Sequence, residues 1–168
     1  SQVPIVGQHP ALAFIGAGNM ARAIIGGLIS NGFPAGNIRA SSPTVSRLSD
    51  LAQQGLFVTA DNKEAMQSAD IVVLAVKPQM LKAVLQPLAA LAVEEKPLFI
   101  SVAAGITSNS INQWLGGDQA IVRCMPNTPA LVKMGANGLY ANAQASPTQR
   151  SQAENVLSAT GLTLWVEQ

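Results

Sequence analysis

This 168-residue sequence is poor in cysteine, histidine and charge. A single cysteine, Cys124, excludes an internal disulfide framework, and with His9 as the one histidine no His/Cys metal cluster can be assembled. Charged side chains make up 11%, and ten bases against nine acids leave a net charge of +1. With no basic stripe either, the chain lacks the field that grips a nucleic-acid backbone. Long hydrophobic runs are missing too: the stretch from Ala69 to Val76 is interrupted by Asp70 and stops at Lys77, far short of a membrane span. Ser1-Gln2-Val3-Pro4 has no basic region ahead of an apolar stretch, so no signal peptide is expected and the expected location is cytoplasmic. What the sequence has in quantity is apolar side chains. At 48% they suffice for a substantial core and exclude a disordered chain.

Short β-rich runs alternate with helical stretches. Ala11–Ile15 is all apolar, as a strand buried on both faces should be. It leads into Gly16-Ala17-Gly18 and a helical stretch from Asn19 to Ser30, closed by Asn31-Gly32. A second strand is expected at Asn37–Ala40, after which Ser42-Pro43-Thr44 opens a helix through Leu48, Leu51 and Ala52 that Gly55 ends. Phe57–Thr59, Ile71–Val76, Leu98–Val102 and Ala120–Cys124 read as further strands. Helices are expected between them at Asn62–Ser68, Gln79–Leu91 and Asn109–Leu115. Gly138–Ala141 and Leu162–Val166 are the last strand candidates and flank a helix that starts near Pro147. The alternation predicts an α/β fold, a doubly wound, mostly parallel sheet of the Rossmann type with about eight strands and helices on both faces. Residues 1–10 are expected to be an N-terminal extension and 11–168 one domain.

Gly16-Ala17-Gly18-Asn19-Met20-Ala21 fits G-x-G-x-x-G/A between an expected strand and an expected helix, the context this motif needs. The first glycine permits the tight turn, the second lets backbone approach a diphosphate, and small Ala21 lets the helix pack close on the strand. The diphosphate would meet free amides and the positive end of the helix dipole. A site for NAD usually adds an Asp or Glu about 20 residues on, to accept from the ribose 2′-hydroxyl. Here that stretch reads Ala40-Ser41-Ser42-Pro43, no acid precedes Asp50, and Arg22, Arg39 and Arg47 give the first 49 residues a charge of +3. Ser41, Ser42 and Thr44 offer hydroxyl and amide donors at a helix start, which favours NADP(H) while NAD(H) stays possible. The same Ser42-Pro43-Thr44 would also serve as a plain helix cap.

Three more segments fall where the carboxyl ends of strands should meet: Ala75-Val76-Lys77-Pro78, Val102–Thr107 and Arg123-Cys124-Met125-Pro126-Asn127-Thr128-Pro129. Together with Ile15–Ala21, Ala40–Pro43 and Asp61–Glu64, in this order and spacing, they resemble pyrroline-5-carboxylate reductase from Leu12 to Glu167. The glycine loop alone is unspecific; V-K-P, A-A-G-I-T and M-P-N-T-P together are highly specific. The resemblance implies NAD(P)H-dependent reduction of the cyclic imine 1-pyrroline-5-carboxylate to proline, the last step of proline biosynthesis. It implies diphosphate contacts from Ile15, Gly16, Ala17, Gly18, Asn19 and Met20, with Ser42 and Thr44 near the adenosine ribose and Asn62 on the adenine side. It places Ala75, Val76, Lys77 and Pro78, and Val102, Ala103 and Ala104, along the nicotinamide half. Met125, Pro126, Asn127, Thr128 and Pro129 would form the substrate-side wall. In the family a helical domain that binds substrate and makes the homo-oligomer follows a segment like Leu164–Glu167. This chain stops at Gln168, so it is expected to be the cofactor half, inactive alone.

Each segment also has a bland reading. Lys77-Pro78 would also simply end a buried strand, since proline cannot continue the ladder; Asn62 would serve as an N-cap for the helix after it. Cys124 reads as a core residue and His9 as solvated, with Trp114, Tyr140 and Trp165 as packing anchors. The segments near the expected nicotinamide hold no Asp, Glu, His or Tyr that could donate a proton, so no catalytic residue and no metal ligand is assigned. The alternative readings are the first domain of a β-hydroxyacid dehydrogenase and a free-standing dinucleotide-binding module.

Overall fold

The computed structural model describes residues 9–126, 137–160 and 163–165. All four residues of β1 (Leu12–Ile15) are buried, Leu12 and Phe14 in one core, Ala13 and Ile15 in another. Strand side chains alternate across a sheet, so burial of all four demands a covering layer on each face. Helices supply both layers. On the first lie α1 (Asn19–Ser30), α2 (Ser49–Gln53) and α7 (Pro147–Leu157); on the second α3 (Asn62–Met66), α4 (Pro78–Leu85), α5 (Ala89–Glu95) and α6 (Ser108–Trp114).

The remaining strands are β2 (Ile38–Ser41), β3 (Phe57–Thr59), β4 (Ile71–Leu74), β5 (Leu98–Ser101), β6 (Ala120–Pro126), β7 (Asn137–Ala141) and β8 (Thr163–Trp165). They form one eight-stranded sheet in the order β3-β2-β1-β4-β5-β6-β7-β8. Every neighbouring pair is parallel except β6 and β7, which run antiparallel. The chain winds outward from β1 to β3, then returns to β4 on the other side of β1. The connections therefore part between β1 and β4, and a crevice opens there at the carboxyl ends of the strands.

The sequence-based elements are recovered with physical differences. The helix expected over Gln79–Leu91 stops at Leu85; a 3-10 turn, Gln86–Leu88, intervenes before α5. Pro87 lies in that turn, and its missing N–H cannot continue the ladder. The helix expected from Ser42 starts later, as a 3-10 turn at Val45–Leu48 followed by α2, and no side chain caps the turn. His9 is exposed as expected, yet its ring meets Phe33 edge-on, 4.8 Å between centroids.

One contact ties the two ends of the described chain. α1 lies against the turn at Ser158–Thr160 so closely that a Cβ on Gly27 would sit 2.8 Å from the Ala159 Cβ and collide with the Ala159 carbonyl. A glycine is what permits this approach.

Candidate functional site

The parallel ladders continue past the strands into the loops above them. Gly16 N–H donates to the Ser41 carbonyl at 3.1 Å, Ser42 N–H to Thr59 at 3.2 Å and Ala75 N–H to Ile15 at 2.9 Å. The loops after β1, β2 and β4 are thereby fixed side by side. Gly16 has φ +92°, and a Cβ there would lie 2.9 Å from the Ala75 carbonyl carbon and oxygen. Backbone therefore packs against backbone at the crevice floor. Gly18 precedes α1 with extended dihedrals, and neither a capping side chain nor an acidic residue attends the first turn. The leading N–H groups of this twelve-residue helix are free of side-chain acceptors, the arrangement that receives an anion.

Between these loops lies a cleft of about 520 Å³. Gly16, Ala17 and Gly18 form one wall, Ser41, Ser42, Pro43, Arg47 and Leu48 another, and Ala75, Val76, Lys77, Met80 and Val84 a third, with Arg22 and Asn62 completing the rim. An adjoining hollow between α3 and α4 shares Asn62 and Val84 with it. Of the residues expected to hold the cofactor, Gly16, Ala17, Gly18, Ser42, Asn62, Ala75, Val76 and Lys77 line this cleft. Ile15 stands beneath it, fully buried in β1, and contributes its carbonyl to Ala75. Asn19, Met20 and Pro78 begin α1 and α4 beside it.

Other residues are engaged within the protein or stand outside the cleft. Thr44 is exposed and outside the cleft; its N–H donates to Ser42 Oγ at 3.3 Å. Ser41 is fully buried and its hydroxyl is spent on Asn62 Oδ1 at 2.7 Å, so it is no free donor. Asn62 is not the cap of α3: Asp61 is, accepting from Lys63 N–H at 2.9 Å, which leaves Asn62 to face the cleft. Arg39 donates to the Ala65 and Gln67 carbonyls, away from the site. Arg22 pairs with Asp50 at 2.5 Å, so the first acid in the sequence neutralises one of the three counted arginines. Val102, Ala103 and Ala104 follow β5 next to the end of β4 but lie outside the cleft; buried Ser101 Oγ holds Ala103 N–H at 3.2 Å. Met125 lines a separate hollow of about 350 Å³ with Arg123, Tyr140 and Ser108. Pro126 ends β6, and Asn127, Thr128 and Pro129 lie outside the described residues.

Sequence reasoning missed Met80 and Val84, four residues apart on α4 and so on one helix face, and it gave Arg47 no more than a share of a net charge. Burial pushes the Cys124 thiol up to about 11, in keeping with a core residue. Among the described residues no group of His, Cys, Asp and Glu could hold a metal ion, and no helix is long and apolar enough to cross a membrane.

A doubly wound sheet whose switch-point cleft is floored by a glycine loop and faced by an uncapped helix defines a dinucleotide-binding domain. Residues 11–105 match the family described as NADP oxidoreductase, coenzyme F420-dependent, and the chain belongs to that family. The resemblance read from the motifs is borne out among its relatives. The chain is 52% identical over 159 residues to the pyrroline-5-carboxylate reductase of Pseudomonas aeruginosa, covering 94% of this chain and 58% of that protein. The Vibrio alginolyticus enzyme of the same name is 44% identical, over 96% of this chain and 59% of its own. A solved Coxiella burnetii pyrroline-5-carboxylate reductase superimposes with a TM-score of 0.88 at 41% identity, covering 96% and 60%. The chain thus spans about three fifths of the length of the relatives it matches.

Proposed function

We propose that this chain supplies the NADP(H)-binding part of an enzyme that reduces 1-pyrroline-5-carboxylate to proline. The observation that carries the cofactor part is the cleft: an uncapped α1 above a glycine at φ +92°, with no carboxylate among the lining residues. The identity to pyrroline-5-carboxylate reductases over nearly the whole chain supports the substrate.

A nicotinamide dinucleotide fits the residues present. The amides of Gly18, Asn19 and Met20 would receive the diphosphate, and the Gly16–Ala75 backbone contact would keep side chains out of its way. Ser42 and Arg47 would face a 2′-phosphate, Asn62 the adenosine side, and Ala75–Lys77 the nicotinamide half. When bound, the dinucleotide supplies the hydride for the imine carbon. The chain's own part is to hold the ring in place with Ala75, Val76 and Lys77, while apolar Met80 and Val84 exclude water from the cleft. The wall at Met125–Pro129, the oligomer and the domain division stay part of this proposal.

Calorimetric titration of the 168-residue chain tests it. NADPH should bind roughly tenfold or more tightly than NADH, since one or two charge-assisted hydrogen bonds to a 2′-phosphate contribute about 1.5–3 kcal/mol each. Equal affinities, or tighter NADH, would remove the preference for NADP(H), and no binding of either would remove the cofactor reading.

A further inference from the structure

Resting on the reading that the cleft takes NADP(H), we infer that Arg22 is a positioning residue for cofactor choice. It locks the turn that carries Arg47, and Arg47 is the cation that meets the 2′-phosphate. The three arginines near the glycine loop differ in what they have left to give. Arg39 is turned to the Ala65 and Gln67 carbonyls. Arg22 has both terminal nitrogens engaged, Nη1 with Asp50 Oδ2 at 2.5 Å and Nη2 with the Arg47 carbonyl at 2.7 Å. Arg47 lines the cleft beside Ser42 and Pro43, and among the described residues its guanidinium has no hydrogen-bond or ion-pair partner. That position, just beyond the second strand, is where a dinucleotide's 2′ substituent falls in a doubly wound sheet.

The turn at Val45–Leu48 needs an outside anchor. Thr44, Val45, Ser46 and Arg47 are all exposed, and only Leu48 of the turn is buried. Arg22 supplies the anchor from α1, which ties the connection after β2 to the helix that faces the diphosphate. A planar fork can span a carboxylate and a carbonyl together; a lysine brings the same charge as a single head and cannot hold both.

Fluorescence titration of the whole chain with NADPH and with NADH separates this role from a direct one. Arg47→Gln should weaken NADPH about tenfold and leave NADH within about twofold. Arg22→Lys and Asp50→Ala should each cut the NADPH-over-NADH ratio severalfold, again with NADH unchanged. If Arg22 held the phosphate itself, Arg22→Lys would keep the preference and Asp50→Ala, by freeing the guanidinium, would raise it. Either result overturns the inference, as does an equal loss of both cofactors in Arg22→Lys. Wild-type protein that fails to discriminate would instead sink the cofactor reading on which the inference rests. A preference that survives all the Arg22 and Asp50 changes sinks the positioning role alone.

Discussion

Two glycines of the phosphate loop do different work. At Gly16 a methyl group would meet the Ala75 backbone at 2.9 Å, in a left-handed conformation that L side chains rarely adopt. Gly16→Ala should therefore destabilise the fold itself, by about 2–3 kcal/mol in urea denaturation. Gly18 has open space, its nearest neighbour the Ala75 carbonyl at 3.9 Å. Gly18→Val should leave the circular dichroism intact and abolish NADPH binding, because the branched side chain would occupy the diphosphate's approach; normal binding would reduce the loop to a turn. Cys124 makes a third residue-scale case. Its thiol, raised by burial to about 11 from an ordinary 9.0, is held protonated by the folded core. The folded state then binds the proton more tightly than the unfolded, so stability is full below about pH 9 and is lost as pH climbs towards 11. The loss should be on the order of 2 kcal/mol by pH-dependent denaturation, and iodoacetamide at pH 8 should modify the thiol only after unfolding.

Among elements, α3 shows where the sequence could be read and where it could not. Its place after β3 was legible, but the cap expected at Asn62 is made by the neighbouring Asp61, an equally good capping residue. The choice falls to Asp61 because Thr59 Oγ1 already fixes Asp61 N–H at 3.0 Å, and the buried Ser41 hydroxyl claims Asn62. That contact joins residues 21 apart and leaves no local signature. Two substitutions should separate the roles. Asp61→Ala should cost about 1 kcal/mol, a melting shift of roughly 2–4 °C, with NADPH affinity nearly unchanged. Asn62→Ala should do the reverse, weakening NADPH severalfold at a similar melting temperature. The strands and α1 were legible because β1 and β4 are apolar throughout and Gly18 opens α1 on a local signal. The breaks at Val45 and Pro87 were less so, and the cleft-facing Met80 and Val84 not at all, because periodicity does not say which face of α4 meets a ligand.

On the scale of the whole molecule, the cleft wall made by Ala75, Val76, Lys77, Met80 and Val84 holds one flexible base and no acid. Among the described residues nothing there orients an imine carboxylate in a fixed pose. Orientation can supply on the order of 7–11 kcal/mol of a barrier. The 168-residue chain should thus bind NADPH yet oxidise it with pyrroline-5-carboxylate at less than about one-hundredth of the rate of the Pseudomonas aeruginosa enzyme, of which it matches 58%. Absorbance at 340 nm, the reduced-nicotinamide band, follows both reactions side by side. A rate within about tenfold of that enzyme would place the whole active site inside these residues.

The contact between Gly27 and Ala159 has a consequence for the order of synthesis. A ribosome delivers α1 among the first residues and the turn at Ser158–Thr160 among the last of the described chain. The helix that faces the cofactor therefore emerges without the surface it is shaped to meet. Its apolar residues Ile24, Ile25 and Leu28 can begin to settle on β1 and β2, but the bare patch at Gly27 stays wet until the turn at Ser158–Thr160 has been made. Nascent chains halted before Ser158 would carry every segment of the phosphate loop and still lack the back-stop behind it. The dinucleotide site is thus assembled early in sequence and finished late in time.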